Sequence, residues 1–435
     1  MNSDMEQRFG SPDYKRSRMA YRMECTFEYF LSLLIGDAFL ATLLSAIGLS
    51  DGLIGIVSSL VTFAFLFQLV AIFVVQRIGN VKRFVILLQA GSHLLFTCLY
   101  FIPFLPWTLA YKEVLVVVCI LAAYFGKYLV NSMLYKWGNA FVDPNKRASF
   151  SAGKEMISLA SGIVMTLILG HVMDAFEAAN NLDGGFLFAA IAMLVFNACD
   201  VISMLLMKKD TQGEEPAKAR EVVPLREVLR NTVGNKNFRN VIILTVLWDI
   251  ARYTTVGFLG TYRIKELAFT VGAVQIINMV GNAGRFIFSK PFGKYSDKHS
   301  FAKGMELAMI LCAVAFAISM VTTPTTRLFV IGYSLFYNIS MAGSNQNMLS
   351  ITYSYVDTKY FVQASAIKNS IGGLCGFGAS LLAGRLLTYI QGNGNTLFGI
   401  PVYGQQVLSA ISLCFLVAAI LFTHFVIGKQ VVMKQ

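Results

Sequence analysis

The sequence is short of charge. Of its 435 residues only 14% are Asp, Glu, Lys or Arg, against 56% hydrophobic, and the mean hydropathy is +0.62. A soluble domain carries about a quarter charged residues. The deficit excludes a single globular core in water and points to a bilayer as the solvent. Histidine and cysteine are sparse too. His93, His171, His299 and His424 are dispersed, and Cys25, Cys98, Cys119, Cys199, Cys312, Cys375 and Cys414 show no CxxC spacing. This excludes a zinc site or a disulfide framework and leaves the cysteines as small reduced core residues. No Ser–His–Asp order, phosphate loop or nucleotide fingerprint occurs, so neither an enzyme nor a cofactor or metal is expected. The glycine run IGGLCGFGAS lies inside an apolar stretch and reads as close helix packing. Residues 1–23 are polar, with no apolar leader before a small-residue cleavage site, so the first apolar run is expected to remain in the protein.

What the chain does have is long apolar runs. They fall at about 25–47, 52–75, 84–106, 113–138, 152–173, 185–207, 239–260, 270–292, 303–323, 328–350, 363–390 and 404–427. The expected fold is an all-α membrane protein of twelve transmembrane helices in two six-helix bundles. The bundles are expected at 25–207 and 239–427. A cytoplasmic tail of 1–24 precedes them, a polar linker of 208–238 with a short surface helix near 224–233 joins them, and a tail of 428–435 follows. The 53 Phe and Tyr residues (35 and 18) suit lipid-facing and interfacial surfaces.

The net charge of +12 would suggest nucleic acid in a soluble protein. Here the basic residues follow the membrane, and no nucleic-acid partner is expected. With the N-terminus inside, 27 of the 36 Lys and Arg fall on inner segments, Lys368 among them. The outer loops hold only Lys112, Arg263, Lys265 and Arg327. This bias places both termini in the cytoplasm. Short tails suggest a bacterial inner (plasma) membrane, and a monomer is expected.

The halves echo each other. Residues 142–154 read VDPNKRASFSAGK and residues 356–368 read VDTKYFVQASAIK, with Val, Asp, Ser, Ala and Lys coinciding. Both stretches lie between the fourth and fifth runs of their half, and such repeats are common in secondary transporters.

Ionisable side chains at membrane depth are costly and face partners or water. Asp37 and Glu28 lie in the first run, and Lys127 with Asn131 one turn later in the fourth. Asp249 and Arg252, three apart, suit a structural or gating pair in the seventh. Asn278, Asn282, Arg285 and Ser289 form a stripe at helical spacing in the eighth. The tenth holds Asn338 and the cluster containing Asn345, and the sixth has Asn197 and Asp200 near its exit. These are substrate or coupling candidates, or structural hydrogen-bonding groups. Tyr124, Tyr128, Tyr135, Tyr337 and Trp248 can stack on a ring of a solute or simply pack.

Residues 293–303 carry a more specific sign. Gly293, Asp297, Lys298 and Lys303, read as a tight inner turn, resemble the loop signature of the major facilitator superfamily. The first half keeps Arg77, Gly79, Lys82 and Arg83 of the same signature, with Gln76 where the family usually has Asp; Ser300 replaces a later Gly in the second. The resemblance covers nearly the whole chain and implies a secondary transporter of bacterial type, working by alternating access. It also implies that Gly293, Asp297, Lys298, Arg77, Gly79, Lys82 and Arg83 form a conformational latch, where the alternative is a solvated turn charge. In the family, helices 1, 4, 7 and 10 line the central cavity, and most of the deep polar residues here fall on those runs and the eighth.

The expected function is therefore transport of a small-molecule substrate across the lipid bilayer, as a proton-coupled symporter of a polar organic solute. Asp37 is the expected proton site, with Glu28 and Asp249 in reserve, and sodium is the alternative ion. Drug or metabolite efflux is the second reading. It is disfavoured because the fifth run has Gly153, Gly162 and Gly170 but lacks the Gly-Pro pair frequent in drug/proton antiporters. A receptor or scaffold is the third, against which stands the lack of a substantial soluble domain.

Overall fold

The computed structural model describes residues 9–74, 78, 80–142, 147–209, 227, 230, 232–356 and 361–429. Most of the central polar segment, and with it most of the expected surface helix, lies outside the described residues. The first half contains α1 (Pro12–Leu34), α2 (Asp37–Ile47), α3 (Asp51–Ser58), α4 (Phe67–Val74), α5 (Val81–Cys98), α6 (Leu109–Asn139), α7 (Arg147–Ala178) and α8 (Leu182–Leu206). The second contains α9 (Lys236–Tyr253), α10 (Val271–Lys298), α11 (Phe301–Met320), α12 (Phe329–Tyr355), α13 (Phe361–Gly392) and α14 (Gly404–Phe425). Starts are written in the sequence. Pro12 opens α1, and the side chains of Ser50, Asn80, Asn181 and Asn235 accept from first-turn amides of α3, α5, α8 and α9. A two-stranded antiparallel ribbon, β1 (Thr396–Leu397) with β2 (Ile400–Pro401), links α13 to α14.

Among the described residues nine segments are long and apolar enough to cross a membrane, and the α1–α2 pair, bent by 44°, makes ten. The runs expected eighth and tenth are the remaining two, α10 and α12. They are long, at 28 and 27 residues, but their hydropathy is lowered by Asn, Ser, Arg and Lys in α10 and by Asn, Gln, Ser and Tyr in α12.

The expected turn at 293–303 is mostly helix. α10 continues through Lys298, because nothing after Pro291 breaks it, and ends where the His299 amide donates to the Tyr295 carbonyl at 3.1 Å. Only His299 and Ser300 turn, and Ser300 caps Lys303 at 3.2 Å.

The chain forms two compact units. Unit 1 is Met1–Ile47 with Val70–Glu221, and unit 2 is Gly48–Leu69 with Val222–Gln435. The second apolar run, grouped by sequence order with the first bundle, thus packs for most of its length in unit 2. The core of unit 1 gathers Tyr21, Val85, Val130, Met133, Trp137 and Met204. One end of that core is tied by polar caps. Lys82 Nζ donates to the carbonyls of Leu205 (2.9 Å) and Met207 (2.6 Å) at the end of α8, and Trp137 Nε1 donates to the Lys208 carbonyl at 2.9 Å.

Unit 2 packs around Phe238, Trp248, Met305, Phe316, Tyr333 and Leu416. In it, α3 and the turns after it lie on α13 through small residues. Ser380 donates to Ser59 at 2.7 Å and Ser370 to the Phe65 carbonyl at 3.1 Å. A Cβ added at Gly52 would strike Thr388 and sit 2.7 Å from the Gly384 carbonyl oxygen. Backbone cannot yield as a flexible side chain can. Gly52→Ala is therefore expected to destabilise by about 1–3 kcal/mol. Thermal unfolding in detergent checks this, with Gly91→Ala, which would meet nothing within 4 Å, as the unaffected control.

Candidate functional site

In unit 1, four helices bring polar side chains to one place. Glu24 and Glu28 are one turn apart on α1, as are Gln89 and His93 on α5. Asn197 and Asp200 come from α8, and Lys127 from α6. Lys127 Nζ donates to Glu28 Oε1 at 3.0 Å, and both side chains keep some exposure (21% and 29%). Glu24 and Asp200, by contrast, are fully closed off. Glu24 accepts from Cys25 Sγ at 3.1 Å and from Gln89 Nε2 at 3.5 Å. His93 Nδ1 lies 3.3 Å from Asn197 Oδ1 and 3.5 Å from Asp200 Oδ2. Asn197 in turn donates to the Ala90 carbonyl at 3.4 Å. The three carboxyl groups act on one another electrostatically, and Lys127 acts on all of them.

Among the described residues Glu28 is the only one of the three with a lysine in hydrogen-bond contact. Lys154 acts on Glu24 and Glu28 from further off, its ammonium held 3.2 Å from the Tyr21 hydroxyl and 4.4 Å from the ring centroid. A buried carboxyl is stable when neutral or paired. A proton is the smallest charge that satisfies one without a lysine, so this cluster is chemically suited to hold and release protons.

In unit 2 a second group forms around α9. Arg252 Nη1 lies 3.8 Å from Asp249 Oδ1 one turn back, and Nε donates to the Tyr337 hydroxyl of α12 at 3.2 Å. The guanidinium carbon stands 5.4 Å from the Trp248 ring and 5.0 Å from the Tyr253 ring. Tyr337 is stacked on Tyr333 at 5.6 Å. Two of the aromatics suspected of stacking on a solute, Trp248 and Tyr337, thus contact Arg252. From α13, Gly372 and Gly376 lie directly against Asp249. Lys368, one turn before Gly372, is buried and interacts electrostatically with Asp249. The sequence counted Lys368 among the inner charges although the expected run 363–390 contains it, and α13, beginning at Phe361, holds it in the helix.

The other candidates are placed as follows. Asn278 Oδ1 accepts from Arg263 Nη1 at 3.0 Å, and Arg263, counted as an outer-loop charge, is buried in a π-turn (Tyr262–Glu266). Asn282 and Arg285 are half-buried, and Asn131 and Asn345 exposed. Asp37 opens α2, but its side chain lies outside the described residues, as do Arg77 and Gly79. Of the latch candidates, Lys82 caps α8 within unit 1, Arg83, Asp297 and Lys298 are exposed, and Gly293 is half-buried.

Sequence reasoning missed Glu24, Gln89, His93 and Lys368. The signal was present in the first three: Gln89 precedes His93 by one helical turn within an apolar run, and Glu24, placed in the tail, precedes Glu28 by the same spacing.

A family model described as Major Facilitator Superfamily matches residues 25–380. Among solved structures, a point variant of the nucleoside transporter NupG superposes with a TM-score of 0.72 at 13% identity, covering 95% of this chain and 100% of that one. A bacterial homolog to the human lysosomal transporter Spinster, inward-facing and unoccupied, gives 0.66 at 14% identity, covering 95% and 96%. A POT family transporter in complex with a thioalcohol-conjugated peptide gives 0.65 at 13% identity, covering 96% of each. At these identities the likeness establishes the fold. No curated protein matches the sequence.

Proposed function

The chain belongs to the major facilitator superfamily, and we propose that it is a proton-coupled symporter importing a small polar organic solute by alternating access. Its family and structural neighbours are transporters, not enzymes. The observation that supports proton coupling is the cluster in unit 1 in which Glu24, His93 and Asp200 are buried beside the partly exposed Glu28–Lys127 pair. Likeness to a nucleoside transporter and to a peptide-bound POT family transporter supports a polar solute.

In this reading α10 and α12 cross the membrane as well, giving twelve crossings with both termini in the cytoplasm of a cell bounded by that plasma membrane. Their amides and Arg285 line the solute's route rather than face lipid, which is why their hydropathy is low. Asp297, exposed on the last turn of α10, keeps the latch role its signature implies.

The test is a thermal-stability screen of the purified protein against metabolites and drugs at two pH values, followed by flux in proteoliposomes. A ligand of the folded state raises its apparent stability. Polar metabolites are expected to stabilise, and an inward proton gradient to drive their uptake. Stabilisation by lipophilic cations alone would move the protein to efflux, and uptake driven only by sodium would overturn proton coupling.

A further inference from the structure

Lys290, Lys294 and Lys298 lie four residues apart on the last turns of α10, so they stand on one face, about 6 Å apart along the axis. All three are exposed, and among the described residues none has a side-chain hydrogen bond, ion pair or ring contact. Lys303, in the first turn of α11, is a fourth exposed and unpaired lysine among those residues. Asp297, three positions after Lys294, is exposed as well, yet it forms no ion pair with that lysine.

The opposite face of α10 is occupied. Gly281, Gly284, Phe292 and Ser296 are buried there, with Gly281 and Gly284 against Ser334 and Leu335 of α12 and Ser296 against Gly304 of α11. One turn before Lys290 the open face becomes apolar: Phe286 is 44% exposed and Ile287 63%. Between the two regions, Pro291 has no amide hydrogen, so the Ile287 carbonyl lacks the donor that a helix normally supplies. The face thus runs from apolar side chains, past a spare acceptor, to a row of ammonium groups. Exposed lysines alone are ordinary in water. These continue an apolar surface, which a soluble anion would leave uncovered and a phospholipid would cover along with the charge.

We propose that this face of α10 binds an anionic phospholipid, its phosphate held between Lys290 and Lys294 and its acyl chains lying on Phe286 and Ile287. Ammonium groups bind phosphate as point charges, and lysines at the membrane surface attract anionic lipid. A glycerol headgroup also brings a hydroxyl that can donate to the Ile287 carbonyl. The inference rests on α10 crossing the membrane, as in the reading above, which sets Lys290 at headgroup level.

The experiment titrates the full chain in neutral detergent with phosphatidylglycerol, phosphatidylcholine or soluble glycerol 3-phosphate. Native mass spectrometry counts bound lipid, and the unfolding temperature is followed in parallel. Phosphatidylglycerol is expected to bind more tightly than phosphatidylcholine and to stabilise more. Replacing both lysines, Lys290→Gln with Lys294→Gln, is expected to weaken it roughly 25-fold, about fivefold per lysine. Arginine at both positions should retain it. Lys236→Gln, which removes an exposed lysine at the start of α9, should leave it unchanged. If the double variant fails to fold, Lys294→Gln alone decides, with its fivefold loss. Equal binding of the two lipids, or an equal loss in Lys236→Gln, overturns the site in favour of diffuse surface charge. The full stabilisation by glycerol 3-phosphate overturns the lipid in favour of a soluble anion. The crossing is tested separately with Ile287→Cys in phosphatidylcholine nanodiscs. Labelling by a water-soluble maleimide above that of the unaltered protein puts this face in water and overturns the crossing. Protection without a preference for phosphatidylglycerol leaves the crossing standing and overturns the lipid site alone.

Discussion

Glu24→Gln is expected to abolish proton-driven accumulation while exchange of solute across the membrane continues. The side chain is fully buried on α1, in contact with Cys25 and Gln89 and, among the described residues, with no cation at hydrogen-bond distance. Glutamine keeps its size and can still bond to Gln89, so the packing around α1 survives. What it cannot do is gain and lose a proton. One pH unit is worth about 1.4 kcal/mol, so a carrier moving one proton per solute concentrates it about tenfold per unit of gradient. The variant should level at a ratio of about one while counterflow of labelled solute persists. Full accumulation in Glu24→Gln would remove the proton role from this residue. Asp37→Asn is the matched comparison, because Asp37 is the site the sequence favoured. If Asp37→Asn alone uncouples, the proton travels by α2 and the cluster on α1, α5, α6 and α8 is structural. Glu28→Gln is the poorer probe, since it also strands Lys127 without its 3.0 Å partner.

The fold was open to reading because its main cause is crude. Twenty-residue apolar runs and the basic bias of the intervening segments follow directly from the dielectric and thickness of a bilayer. The same rule misled at helix ends. Arg263 looks like a loop charge when counted along the chain, yet the π-turn extends to Glu266, and Lys368, counted with the inner charges, is buried within α13. An interior charge is tolerated there because a carboxyl or amide on another helix faces it, and hydropathy windows are blind to partners. Around the latch signature only the local conformation differs: its Gly and Lys suggested a turn, but α10 runs to Lys298.

The site was half legible. Glu28, Lys127, Asp249 and Arg252 stand out singly as charges in apolar runs, and the Asp249–Arg252 pair follows from spacing alone. Their wider company needs tertiary structure. Nothing local joins His93 to Asp200, more than a hundred positions on, or Asp249 to Lys368. Nor does chain order reveal that the segment after Ile47 packs in unit 2, because that choice rests on Gly52, Ser59, Gly384 and Ser380 fitting at close range.

Asp249→Asn is expected to be among the most damaging substitutions in unit 2, and to be relieved by Lys368→Gln. Asparagine fills the same space against Gly372 and Gly376, so shape is conserved and only charge changes. Arg252 and Lys368 then share a buried region with no anion, and removing one partner of a buried ion pair costs about 3–5 kcal/mol. The single variant should lose folded yield and unfold at lower temperature in detergent. Lys368→Gln in the same chain returns the group to the single excess positive charge it has naturally, held by Tyr337 and the rings of Trp248 and Tyr253. Recovery of yield and unfolding temperature in the double variant would locate the cost in charge. A double variant no better than the single would locate it instead in the acceptor that Asp249 offers, and the two cations would no longer be in excess.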